Sequence, residues 1–252
     1  MVTPTWTLGV VLVVLVLVGV AGVTWARLPM RGAMVTAAVR AAVQLTVVSA
    51  LIVVVLESLV WTFAFVAGMV TVATITATRR LELPVRRAWA AVPVLAGAVP
   101  VVGLVLASGT VPWEPASILP VAGIVVGNSM TATTLAGRRM LEELGARPGE
   151  YEAALSLGFS PAASALEVAR PSAGLALMPM LDQTRTVGLV TLPGAYIGVL
   201  LGGGTPVEAG AAQALVLIGV LAAQGLCVAV TVRLVAGRRL MTDALRERLP
   251  AR

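Results

Sequence analysis

Asn128, Ser129, Met130 and Thr131 stand together, with Thr133 and Thr134 just beyond, in a stretch that is otherwise apolar. Amide and hydroxyl groups in such a run bind polar solutes or replace part of an ion's hydration shell. On a helix Asn128 and Thr131 share one face, while Ser129 and Thr133 form the neighbouring stripe. Gly123 and Gly127 permit either close packing or a break, and broken helices at mid-membrane often line a substrate cavity. The structural alternative is bonding across helices or back to the i−4 carbonyl. Met130 adds a soft thioether ligand candidate, a residue that also serves simply to pack.

Arg40 and Gln44 lie four apart and share a face of a second apolar stretch. A charged group at bilayer depth costs several kcal/mol, which makes it a functional candidate. Arg40 is near enough to one end to snorkel to the headgroups instead. Catalysis is a poor fit. The chain has no His and no Lys, and its single cysteine, Cys227, is isolated in an apolar run. The polar cluster has no obvious general base or nucleophile. No spacing suggests a metal constellation, so the expectation is a non-enzyme with no metal site of its own.

These residues must be positioned by membrane helices. The composition is 58% hydrophobic and only 12% charged, whereas soluble domains carry about a quarter charged residues. A spanning helix needs roughly 20 mainly apolar residues. That ruler gives seven spans, near 5–24, 33–56, 59–78, 88–107, 117–137, 186–204 and 211–235. The sixth is the weakest, because Pro179, Asp182 and Arg185 interrupt its approach.

Arginine sets the orientation. Arg27 and Arg31 follow the first span; Arg79, Arg80, Arg86 and Arg87 follow the third. Arg138, Arg139, Arg147 and Arg170 follow the fifth, and Arg238, Arg239, Arg246, Arg248 and Arg252 the last. The intervening connections carry Glu57, Glu114 and Glu208 and no arginine. Positive loops stay cytoplasmic, so the N-terminus is expected outside and the C-terminus inside. The basic balance therefore reads as membrane orientation and not nucleic-acid binding. The first span reads as an anchor and not a cleaved signal, since its charges follow it.

The whole chain, 1–252, reads as one all-α transmembrane domain with a cytoplasmic insert at about 138–185. Within the insert, 150–157 reads as a short helix with acidic residues in its first turn. Gly158 suits a left-handed cap. Ser160 and Pro161 suit an N-cap and first helical position, opening a second helix over 162–170 that stops before Pro171. Tyr151, Leu155 and Phe159 fall four apart, forming an apolar stripe that either docks on another protein or lies on headgroups. Farther on, Gly194, Gly198 and Gly202 make a GxxxG ridge suited to a dimer or packing seam, with a kink at Pro193. Asp182 and Arg185, with Pro179, suit a hinge or a solvated pair.

Glu152-Ala153-Ala154, with Gly158 three residues after Leu155, resembles the EAA loop of ABC-transporter permeases. The run Pro120–Met130 resembles a signature of the FetB-type (UPF0014) iron-export ABC transporter permease family. So do Leu155–Pro161, Thr186–Gly194, Gly203–Ala209 and Val39–Leu45. The resemblance holds order and spacing from about Val35 to Arg239. It implies a multi-pass cell-membrane permease that exports iron or another metal. It implies a homodimer paired with a cytoplasmic ABC ATPase that binds ATP and Mg, with coupling through Tyr151, Glu152, Ala153, Ala154, Leu155, Gly158 and Phe159. The residues agree in one respect. A Walker A loop needs a lysine, and this chain has none. The rival is an ATP-independent carrier or channel, which calls for an acidic residue at mid-membrane, and none lies clearly inside a span.

Overall fold

The computed structural model describes residues 5–84 and 88–250; Arg86, Arg87 and Arg252, counted above among the orienting charges, lie outside the described residues. The helices are α1 (Trp6–Trp25), α2 (Arg31–Glu57), α3 (Leu59–Arg80), α4 (Ala91–Ala107), α5 (Pro115–Ala146), α6 (Pro148–Ser156), α7 (Pro161–Gly174), α8 (Met178–Thr186), α9 (Gly194–Leu201), α10 (Pro206–Ala236) and α11 (Asp243–Arg248). Among the described residues there is no strand, only an isolated bridge between Val187 and Thr191. Five helices, α1, α2, α3, α5 and α10, are long and apolar enough to cross a membrane. Apolar α4 is shorter, at 17 residues, with a 3-10 turn before it.

The chain divides into two compact units, one ending at Ser58 and one beginning at Leu59. In the first, α1 buries none of its side chains and is apolar all round, as a lipid-facing helix should be. Gly19 receives the Met34 side chain from α2, whose Cε lies 2.7 Å from where a Cβ would stand.

In the second unit the buried residues give the direction of each helix. Val125 and Val126 of α5 share a cluster with Leu217 and Val220 of α10. Farther along both helices, Ala136, Met140 and Leu144 share another with Val232, Val235 and Ala236. The two helices therefore run parallel. Met69 of α3 reaches Gly123 and Leu81 reaches Gly137, so α3 runs the same way. Between them α4 runs opposite: Gly97 meets Cys227 and Ala223, while Val101 meets Gly219. Arg79, Arg80, Arg138 and Arg139 thus gather at the same end as Arg238 and Arg239, with Glu114 and Glu208 at the other.

Parallel α5 and α10 require a return crossing, and here the structure departs from the expected sixth span. Residues 186–204 do not form one helix. The return is made in pieces by α7, α8 and α9. Ala165, Val168 and Ala169 of α7 pack beside Met140 and Val235, Met180 of α8 beside Val125 and Leu217. The Tyr196 amide of α9 then donates to Gln213 Oε1, 3.3 Å away and near the start of α10. Continuity fails at 187–193 for local reasons. Gly188 adopts φ +80°, its amide bonding back to Thr191 O, and Pro193 offers no amide and biases Leu192 away from helix. The segment 138–185 is accordingly not a free insert, since α7 lies along α5 and α10. Nor does α7 stop before Pro171; it continues to Gly174. Ala169 and Ala173 stay buried while Pro171 faces outward, so the ring sits on the exposed side of the helix.

At the centre, a Cβ on Gly97 would lie 2.2 Å from Cys227 Sγ, 2.6 Å from Ala223 O and 3.1 Å from Ser129 Oγ. Only glycine allows α4, α5 and α10 to meet this closely. Overpacking of this kind costs about 1–3 kcal/mol, so Gly97→Ala should lower the melting temperature in detergent by roughly 3–10 °C. Gly103→Ala on the same helix, where nothing lies within 4 Å, should leave it unchanged.

Candidate functional site

A cavity of about 530 Å³ opens between α5, α8, α9 and α10. Three carboxamides reach it, Asn128, Gln183 and Gln213, and Met180 brings a thioether; Pro193, Gly194 and Gly198 complete one wall. Among the described residues no charged side chain lines it. The broken crossing creates this space, because a continuous sixth helix would fill it. Irregular backbone at membrane depth is tolerated where it borders a cavity; Pro193 borders this one, and Val187, Gly188 and Leu192 border a neighbouring pocket.

Asn128 is held on both sides. Its Nδ2 donates to Ile124 O at 2.9 Å, and its Oδ1 accepts from Gln224 Nε2 at 3.2 Å. Gln224 Oε1, buried, has no partner. The rest of the expected path cluster disperses. Ser129 and Thr133 are fully buried against α10 and α4, beside the Cys227 thiol, with no hydrogen-bond partner of their own beyond that weak contact. Thr131 is exposed and bonds back to Gly127 O. Met130 lines a separate apolar groove on the α3 side with Met69 and Gly127. So Asn128 alone of that run faces the cavity; Met180 replaces Met130 as its sulfur. Gln183, Gln213 and Gln224 were overlooked in the sequence, although a glutamine inside a 31-residue apolar helix carries the same signal as Asn128. Arg40 and Gln44 are exposed on α2, in the N-terminal unit.

The GxxxG ridge is not a seam within the chain. Nothing approaches within 4 Å of a Cβ built on Gly194 or Gly198, and both border the cavity instead. Pro193 caps α9, and Pro179 sits in the first turn of α8. Asp182 and Arg185 do pair, at 3.5 Å, but both are more than 60% exposed, a contact worth about 0–1 kcal/mol.

At the arginine-rich end, α6 and α7 form an elbow. Gly158 takes φ +90°, and Ser160 Oγ accepts from the Ala163 amide at 3.2 Å, the cap pattern its sequence predicts. Arg147 clamps the elbow's root, donating to Glu143 at 2.9 Å and to both oxygens of Glu150, while Ser172 Oγ ties Glu143 to α7 at 3.1 Å. The flanking carboxylates, Glu150 foremost, raise the Arg147 pKa, so the clamp stays charged at any physiological pH.

The apolar stripe does not face outward as expected. Tyr151 is 2% exposed, and its hydroxyl donates to Pro250 O at 3.1 Å. Leu155 is half-buried against the same core. A C-terminal hook covers them: Leu240, Met241, Leu245 and Leu249 are all buried there, held by Arg238 donating to the carbonyls of Leu249 and Pro250. Left outside are Glu152, Ala153, Leu157 at 79% exposure, Gly158 and Phe159 at 45%.

Residues 6–240 match the family described as "Uncharacterised protein family (UPF0014)". The chain is similar to the UPF0014 membrane protein STAR2 of Oryza sativa subsp. japonica, 38% identical over 186 residues, 73% of this chain and 65% of that protein. It is similar to Protein ALUMINUM SENSITIVE 3 of Arabidopsis thaliana, 31% identical over 186 residues, 73% of this chain and 68% of that protein. It is also similar to the probable iron export permease protein FetB of Escherichia coli (strain K12), 31% identical over 118 residues, 47% of this chain and 46% of that protein. The chain thus spans less than two thirds of the length of STAR2. No solved structure matches it.

The Asn128–Gln224 bond yields a stability prediction. Asn128→Ala leaves Gln224 unpartnered and should destabilise by about 1–3 kcal/mol. Gln224→Met, which also removes the orphan oxygen, should cost less. Thermal melts of the two variants compare them directly.

Proposed function

The chain belongs to the UPF0014 membrane protein family, and from that premise we propose that it is the membrane-spanning subunit of an ABC-type exporter driven by a separate ATPase. It is a multi-pass membrane protein, and one relative is named a permease. In this reading the arginine-rich end is cytoplasmic, with the N-terminus outside and the C-terminus inside. The return crossing through α7, α8 and α9 supplies the odd number of passes that this orientation requires.

The observation that carries the proposal is the elbow. Leu157 and Phe159 flank the left-handed Gly158 at the tip of a clamped, internally anchored pair of helices on the arginine-rich end. An exposed apolar pair on a rigid mount suits insertion into a groove of another protein. The ATPase stroke enters at this tip and passes through Arg147 and Tyr151 into α5, α7 and the hook. The broken crossing, hinged at Pro179 and Pro193, then changes the cavity's access. Two copies, each with one ATPase, make the working unit, with ATP and Mg bound by the partner.

We take the cavity beside Asn128 as the path. Its lining of carboxamides without a carboxylate argues against a carrier coupled to protons or sodium. Iron export follows the name of FetB, and the name ALUMINUM SENSITIVE 3 points to another metal. Neutral oxygens and one thioether accept such a metal best when it keeps some ligands of its own. Arg40 and Gln44, exposed on α2 in the N-terminal unit, remain path candidates on their sequence pattern alone.

Purification of the tagged full chain from native membranes tests the coupling role. The wild type should bring down Mg-dependent ATP hydrolysis. Leu157→Asp with Phe159→Asp should reduce that activity at least about tenfold at an unchanged melting temperature. Full retention of the hydrolysis by the double variant contradicts the assignment.

A further inference from the structure

A second pocket, of about 310 Å³, lies among the ends of α3, α5 and α11. Arg80 closes α3, Arg138 lies in the last turns of α5, and Arg248 ends α11; all three line it. Arg138 donates to the Arg80 backbone carbonyl at 3.1 Å, which holds its guanidinium against the end of α3. Among the described residues no carboxylate pairs with any of these guanidinium groups within 4.0 Å. Glu82 and Glu142 also border the pocket, and Glu142 is oriented toward Arg139 at 3.9 Å. Among the described lining side chains three cations stand against two anions.

We propose that this pocket binds the phosphodiester of an anionic phospholipid. The charge matches, since a phosphodiester carries a single negative charge. Guanidinium forks fit phosphate oxygens, and arginine is more weakly hydrated than lysine. The depth matches as well. Both α3 and α5 are membrane-crossing helices by length and composition, and the pocket sits where their apolar runs end, at headgroup level. Basic pockets between helices at the cytoplasmic face are a known form of headgroup site. Trp89, which lies under Arg239 at 4.8 Å, is an interfacial anchor at that same end. Leu245, buried beneath the pocket, belongs to the hook that covers Tyr151, so a bound headgroup ties the hook to α3 and α5.

The test uses the purified full chain in neutral detergent. Native mass spectrometry with equal phosphatidylglycerol and phosphatidylcholine should show the former retained at least fivefold more. Phosphatidylglycerol should raise the melting temperature by roughly 3 °C, the shift expected for a ligand contributing about 1 kcal/mol. Arg80→Gln with Arg248→Gln should lose that rise and the retention; Arg138 is left in place because of its bond to Arg80. Equal retention of the two lipids overturns the proposal, and so does an undiminished rise in the double variant. A rise of the same size with glycerol 3-phosphate would reassign the pocket to soluble phosphate and equally overturn the lipid site.

Discussion

The approach of α10 to α4 and α5 at Gly97 governs the rest of the second unit. Where a side chain would otherwise stand, Cys227 Sγ, Ala223 O and Ser129 Oγ fill the space. In lipid there is little hydrophobic force between helices, so association depends on such close packing. The contact fixes the height of α10 against α5, which brings Gln224 level with Asn128 and Gln213 level with α9. The cavity exists because the three long helices are held this tightly while the return crossing is broken. A rigid frame beside a jointed element is what alternating access requires.

The arginine-rich end extends the same logic. The parallel course of α3, α5 and α10 brings their C-terminal ends together, and the elbow and hook are built on them. Tyr151 joins the two, with its ring in the core and its hydroxyl on Pro250. The Arg147 clamp is exposed and contributes little to stability; under the proposed coupling it serves to hold the elbow's angle. A lever needs a stiff root more than a stable one.

Much of this was legible in the sequence. Span-length hydropathy located α1, α2, α3, α4, α5 and α10, and turn chemistry located Gly158 and Ser160. Those signals are local, set by composition and backbone preference. What escaped depends on which neighbour a residue meets. The spacing of Tyr151 and Leu155 fits one face of α6, but Phe159 lies past the helix end at Ser156, and spacing cannot say whether a face turns in or out. The hook was unreadable because its arginines look like ordinary orienting charge, and only the bonds from Arg238 to the carbonyls of Leu249 and Pro250 make it structural. The sixth span misled because apolar content over 186–204 is sufficient for a helix, while Gly188 and Pro193 prevent one. Gln213 and Gln224 sit singly in a 31-residue apolar helix, whereas Asn128 stands in a polar run, so the same carboxamide chemistry is less conspicuous there.

The account rests on energy arriving from a separate ATPase through the elbow. Proteoliposomes holding this chain alone, or the chain with its ATPase, put that to a direct test through the efflux of labelled iron. The account predicts uphill movement only when the ATPase, Mg and ATP are all present, with none under a proton or sodium gradient. Uphill flux by this chain alone under either gradient, indifferent to nucleotide, would contradict it.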